Sequence, residues 1–243
     1  MDSGRNSGGE ESGWEVLAPG VVRRRMPGWD ETVGAVAGTE GLLVVDTGAC
    51  LREGAGLRRD LERRFGRRPT HVALTHPHFD HVLGTAAFAG VEVYAAVGSD
   101  RLLRKGAEEL RADAVRHGLT PEEATEAVDV LVVPHHQVSG EITLRLGDRE
   151  VLLANVGPGH TGHDLVVLVP GRPHVVFCGD LVEESGEPQA GSDAHPARWP
   201  EALDRLLALG GPDARYVPGH GAVVDADFVR AQREDLARRF TTG

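Results

Sequence analysis

Positions 76 to 81 read His76-Pro77-His78-Phe79-Asp80-His81, three imidazoles and one carboxylate gathered directly behind the apolar run His71 to Thr75. In extended backbone His76 and His78 point the same way, and Asp80 and His81, opening the next helix, turn back toward them. Four such groups side by side are costly in a core without partners. A metal cation is one such partner, and a solvated histidine-rich turn is the alternative. The rest of the chain weighs against the turn. His160 follows the run Val151 to Asn155 through Val156-Gly157-Pro158-Gly159, Asp180 follows His174 to Cys178 through Gly179, and His220 follows Arg215 to Val217 through Pro218-Gly219. Ligands at several strand ends, beside residues that turn sharply, are how a packed sheet gathers distant groups at one edge. Metal-dependent chemistry is the reading these residues favour.

The elements that must carry these groups show in the apolar pattern. Short Val- and Leu-rich runs at 33–37, 42–46, 71–75, 91–95, 142–146, 151–155, 165–169, 174–178 and 215–217 read as strands. Stretches 56–65, 80–88, 99–117, 121–128, 199–209 and 227–240 read as helices with one apolar face each. Short links between the early strands predict hairpins, and the later strands alternate with helices, so the fold class is α/β with mixed sheets flanked by helices. Residues 99–128 form a charged helical insertion, read as a plain outer helix pair in preference to a cap on one sheet edge. The polar, Gly/Ser/Glu-rich stretch 1–12 reads as a disordered tail ahead of a single domain over 13–243.

Composition narrows the function classes. Lys and Arg number 26 against 37 Asp and Glu, and a net charge of −11 disfavours nucleic acid as a partner. The arginines at 58, 59, 63, 64, 67 and 68 interleave with Asp60 and Glu62 and read as a solvated helix face. Apolar runs such as Leu42 to Val45 fall far short of the about 20 residues a membrane helix needs. Cys50 and Cys178 are the two cysteines, neither in a CxxC pair, so neither a disulfide framework nor a thiolate metal site is expected. A soluble, cytoplasmic protein acting on a small molecule is the expectation.

From about Trp14 onward the chain resembles the metallo-β-lactamase fold superfamily. The resemblance rests on Asp46-Thr47-Gly48, the HxHxDH loop at 76–81, Pro158-Gly159-His160-Thr161, Gly179-Asp180 and Pro218-Gly219-His220-Gly221, in that order. It implies a four-layer αββα sandwich with the metals at one sheet edge. It also implies that His76, His78 and His160 bind one ion, that Asp80, His81 and His220 bind a second, and that Asp180 bridges them. Nitrogen and oxygen ligands without thiolate suit Zn²⁺, two per chain, with Mn²⁺ or Fe as substitutes. Asp80 and Asp180 are the catalytic candidates: two ions sharing a carboxylate leave room for a bridging hydroxide that attacks a carbonyl, while Asp80 orients it and passes its proton.

Departures from the superfamily's better-known branches narrow the substrate. The best-known zinc β-lactamases place a cysteine where this chain has Asp180, which disfavours antibiotic hydrolysis as the main activity. Members resembling glyoxalase II carry a glutathione-binding helical domain, and the short stretch after His220 sets an expectation against that specialisation. Persulfide dioxygenases use one iron and an Arg shortly after Gly-Asp, and quorum-quenching lactonases offer a Tyr, where this chain has Glu183. A hydrolase for a small ester, thioester, lactone or amide leads. A phosphodiesterase or ribonuclease of the same fold, or a mononuclear-iron sulfur dioxygenase, is the alternative. Asp46 either accepts a hydrogen bond from a ligand histidine or caps its turn. Thr161 and His163 either hold their loop by hydrogen bonds or face the substrate, with the structural role favoured for Thr161, and His135, His136 and His195 read as solvated loop positions in preference to cleft-lining ones. Cys50 and Cys178 are assigned to packing. Trp29 either walls the substrate pocket or covers the sheet edge.

Overall fold

The four residues of β4 (Leu42–Val45) are all buried, yet they face two cores: Leu42 and Val44 pack toward helices, Leu43 and Val45 toward a second sheet. β10 (Leu165–Val169) divides the same way in the other sheet, with Leu165, Val167 and Val169 facing inward and Val166 and Leu168 outward. Strands covered on both faces carry continuous apolar runs, which is why these segments lack an alternating pattern. Three apolar layers between four layers of structure make the αββα sandwich. The computed structural model describes residues 13–241, so the tail expected at 1–12 lies outside the described residues.

The first sheet runs in sequence order through β1 (Glu15–Ala18), β2 (Val21–Arg25), β3 (Thr32–Ala37), β4, β5 (His71–Ala73), β6 (Glu92–Ala96) and β7 (His136–Val138). β1 to β4 form an antiparallel meander, and β4 to β7 are parallel. The crossovers hold α1 (Leu51–Phe65), the one-turn α2 (Phe79–Val82), and α3 (Ser99–Lys105), α4 (Ala107–Arg116) and α5 (Pro121–Asp129). The second sheet has the order β12 (Arg215–His220), β11 (Val175–Glu183), β10, β9 (Glu150–Asn155), β8 (Glu141–Arg145), with α6 (Trp199–Gly210) and α7 (Ala226–Thr241) on its outer face. Here β8 to β11 return to antiparallel hairpins, and β12 alone pairs parallel, after α6.

Several elements depart from the sequence reading. β1, β2 and β7 were not expected: β1 spans four residues, and Arg23, Arg24 and Arg25 in β2 and His136 in β7 interrupt the apolar character of those strands. α1 starts at Leu51, ahead of the expected 56, since Glu53 accepts from the Ala49 N–H at 2.8 Å and closes its first turn. The helix expected over 80–88 is one α-turn followed by a 3₁₀ turn at Thr85–Ala87. The stretch 99–117 breaks at Gly106 into α3 and α4, and the insertion is more than an outer pair: Leu110 and Ala114 pack in the first core, while α4 also flanks the cleft described below. On α1 Asp60 pairs with Arg63 and with Arg24 of β2, and Glu62 lies 3.9 Å from Arg68 just past the helix.

Candidate metal centre

β4, β5, β9, β11 and β12 all end at the same edge of the sandwich, and each end carries a polar residue of the candidate site. β5 runs through Thr75 into His76 and His78, then α2 begins and presents Asp80 and His81 from its first turn. The loop after β9 brings His160. Asp180 lies within β11 and His220 is the last residue of β12, so both stand in strands rather than after them. The two sheets are tied together here by the Leu165 N–H, which donates to the Thr75 carbonyl at 2.7 Å.

All seven predicted residues converge. His76 Nε2 and His160 Nε2 lie 3.6 and 3.5 Å from Asp180 Oδ2, and His160 Nε2 lies 3.0 Å from His78 Nδ1. His81 Nε2 and His220 Nε2 stand 3.4 and 3.3 Å from Asp80 Oδ2, and 3.3 and 3.4 Å from the two Asp180 oxygens. Two triads result, with Asp180 facing both. Gly219 makes the approach possible, since a Cβ there would fall 1.8 Å from Asp180 Oδ1.

The donor set fits zinc. Ligand bonds of about 2.0–2.1 Å in a tetrahedron put neighbouring ligand atoms about 3.3 Å apart, close to the separations within both triads. His76 Nε2, His81 Nε2 and Asp180 Oδ1 are buried and have no hydrogen-bond partner among the described residues. Buried polar atoms without partners are rare in folded proteins, and a cation in each triad, with Asp180 facing both, would satisfy all three.

Each histidine is fixed through its other nitrogen, which determines the nitrogen left to the site. His81 Nδ1 donates to Asp46 Oδ2 at 2.9 Å, His220 Nδ1 to the Trp29 carbonyl at 2.8 Å, and His160 Nδ1 to the Gln189 carbonyl at 3.0 Å. His78 Nε2 donates to Asp193 Oδ2 at 3.0 Å, leaving Nδ1 inward. His76 Nδ1 donates to Thr75 Oγ1 at 3.0 Å, and that hydroxyl donates on to Asp46 Oδ2 at 2.8 Å. Asp46 therefore orients two histidines of the candidate site and does not merely cap a turn. It holds a left-handed backbone, φ 59°, that few non-glycine residues adopt. Its neighbour Thr47 donates from N and Oγ1 to the His81 carbonyl.

The electrostatics divide the histidines. Burial lowers His76 well below the ordinary imidazole value and His160 to about 4, so both are neutral lone-pair donors. Burial opposes protonation of His81 and His220 as well, but Asp80 and Asp180 override it, raising His81 well above the usual range and His220 to about 11. Against burial, the surrounding histidines hold Asp80 and Asp180 ionised.

A cleft of about 760 Å³ opens on the centre. Trp29, Phe79, Leu102 and Leu110 make one wall, and Gln189, Ser192 and Asp193 line it from the loop after β11. Trp29 meets Phe79 edge-on at 5.5 Å and anchors its Nε1–H on the His117 carbonyl at 2.9 Å. Glu183 is buried, accepts from the Ser185 N–H and Oγ–H, and comes within 4.8 Å of ligand atoms of Asp180 and His220.

The other predicted histidines stay outside the centre. His136 pairs with Glu92 at 2.7 Å beside His135, at the far end of the first sheet. His163 donates to the Val97 carbonyl, and His195 is exposed beyond the cleft lining. Thr161 has the structural role, donating from Oγ1 to buried Asp164 at 2.6 Å. Cys50 and Cys178 are buried in the two outer cores. Sequence reasoning missed Thr75, Gln189 and Asp193: single acceptors in irregular segments form no pattern, although Thr75 directly precedes the first ligand.

Comparison with known proteins agrees with this geometry. Residues 27–220 match the family described as the metallo-beta-lactamase superfamily. The metallo-beta-lactamase type 2 of Bacillus cereus is 26% identical over 192 residues, covering 77% of this chain and 65% of that protein. A hydroxyacylglutathione hydrolase of Nitrosococcus oceani is 28% identical over 158 residues, covering 65% of this chain and 51% of that protein. The chain thus spans about half to two thirds of the length of these relatives. Among solved structures, the metallo-beta-lactamase FIM-1 of Pseudomonas aeruginosa in its mono-zinc form superposes with a TM-score of 0.72 at 21% identity, over 95% of this chain and 96% of that one, a likeness of fold. Among the described residues no helix is long and apolar enough to cross a membrane.

Proposed function

The chain belongs to the metallo-beta-lactamase superfamily, and from that premise we propose that it is a metal-dependent hydrolase of a small carbonyl substrate, an ester, thioester, lactone or amide. In this reading His76, His78 and His160 hold one zinc ion, Asp80, His81 and His220 a second, and Asp180 lies between them. The observation that carries it is the set of buried, unpartnered atoms His76 Nε2, His81 Nε2 and Asp180 Oδ1 within the two triads. Zinc is preferred, with Mn²⁺ or Fe able to accept the same nitrogen and oxygen donors. Two such ions, when bound, lower the pKa of water from 15.7 toward about 7 and so supply a nucleophile at neutral pH.

The chain's own residues have distinct tasks. Asp80 turns Oδ2 to His81 and His220 and also lines the cleft, a position from which its carboxylate takes the proton of the attacking water and returns it to the leaving group. Trp29, Phe79, Leu102 and Leu110 pack on the apolar part of the substrate and exclude water. A cleft of about 760 Å³ suits a drug-sized molecule. The names of the Bacillus and Nitrosococcus relatives both denote carbonyl substrates, a β-lactam and an acyl-glutathione. The net charge of −11 supports a small molecule over a nucleic-acid backbone. A fluorogenic panel of esters, thioesters, lactones, β-lactams and phosphodiesters on zinc-loaded protein tests the reading. Turnover of a carbonyl substrate, abolished by chelation, is expected. Turnover confined to phosphodiesters would overturn it.

A further inference from the structure

The two triads are anchored differently. His81 is tied to Asp46, which is buried and receives further bonds from the Thr75 N–H and hydroxyl at 2.8 Å each. His220 is tied to the Trp29 carbonyl, beside the backbone bridge that joins Glu31 to His220 itself. Asp46 directly follows β4, and Trp29 stands in the turn between β2 and β3, so both anchors sit next to strands of the first sheet. His78 and His160 instead lean on the irregular segment 184–198: His78 Nε2 donates to Asp193 Oδ2, and His160 Nδ1 to the Gln189 carbonyl, both at 3.0 Å. That segment returns to the fold through the His195 N–H on the Gly159 carbonyl, at the base of the His160 loop. The Asp193 side chain is 39% exposed and lines the cleft with Gln189 and Ser192.

We infer that segment 184–198 is the clamp of the first triad and that Asp193 is its positioning residue. It holds His78 with Nδ1 inward, so that one of the two ions relies on a loop at the cleft surface in addition to the His76–Thr75–Asp46 chain, while the other has both its histidine rings held beside strands of the first sheet. This rests on the dinuclear reading above. By linkage, a loop that raises the affinity for an ion is ordered by that ion to the same extent.

The test uses full-length wild type, Asp193→Ala and Asp193→Asn, with zinc as the probe. Stepwise affinities come from competition with a chromophoric chelator, and the order of segment 184–198 from hydrogen exchange at zero, one and two zinc per chain. Removing an outer hydrogen bond to a ligand histidine costs about 10–100-fold in metal affinity. Asp193→Ala is therefore expected to weaken one ion by that factor and leave the other within twofold. Asp193→Asn, whose amide oxygen still accepts, stays within a few-fold of wild type. Zinc slows exchange of 184–198 in wild type and fails to do so in Asp193→Ala, while the metal-free melting temperatures of the three proteins agree. Equal weakening of both ions, unchanged affinities, or equal losses in the Asn and Ala variants would overturn the clamp. Wild type that binds no zinc would instead overturn the dinuclear reading.

Discussion

Oδ2 of Asp46 accepts a hydrogen bond from Nδ1 of His81 at 2.9 Å, with both side chains buried. The same oxygen receives the Thr75 hydroxyl, which in turn accepts from His76 Nδ1, so one carboxylate orients a histidine from each triad. Asp46→Ala should strand the Thr75 N–H and the His81 Nδ1–H, each buried orphan costing about 1–3 kcal/mol. It should also weaken zinc binding by about 10–100-fold. Denaturant titration of the metal-free protein and chelator competition read the two effects separately. Wild-type values in both would contradict the role of Asp46.

Asp180 faces both triads, so Asp180→Asn should release one ion of the pair and lower kcat, with the shape of the site preserved. Metal content and turnover measured on the same preparation check this. Retention of both would remove Asp180 from the bridging position.

Trp29 gives its carbonyl to His220 and its ring to the cleft, and substitution separates the two, because the main chain stays in place. Trp29→Ala should raise KM for a good substrate with kcat and metal content near wild type. Unchanged kinetics would show that the ring only covers the sheet edge.

Much of the centre was legible before any coordinates, because each of its seven residues stands at or near the end of an apolar strand and that periodicity survives in the sequence. The αββα layering was less direct. Central strands such as Leu42–Val45 are buried on both faces and show no alternation, so the four-layer stacking of the mixed sheets had to come from the family resemblance. What stayed hidden were contacts that sequence distance conceals: Asp193 on His78, 115 residues apart, and His220 on Trp29, 191 apart. Neither partner has a type or spacing that marks it. The break of 99–117 at Gly106 was also missed, since a glycine within a helical pattern is often tolerated.

Glu31 supplies a pH dependence. It is fully buried with both carboxyl oxygens unpartnered, and burial, with Glu53 and Asp80 nearby, pushes its pKa up to about 8 from the ordinary 4.5. A raised folded-state pKa stabilises below the unfolded value and loses that contribution as pH climbs through the folded one. Metal-free wild type should therefore lose stability relative to Glu31→Gln between pH 4.5 and 8, at a slope of up to about 1.4 kcal/mol per unit. Melting curves of both proteins from pH 4 to 9 should coincide at the acid end and separate upward, Glu31→Gln being the more stable. A constant gap across the range would contradict the assignment.

The central claim is that seven side chains hold two ions, and elemental mass spectrometry on protein purified without added metal or chelator addresses it first. Two zinc per chain is the predicted result. One iron per chain, or no metal even after reconstitution with zinc, would contradict the account.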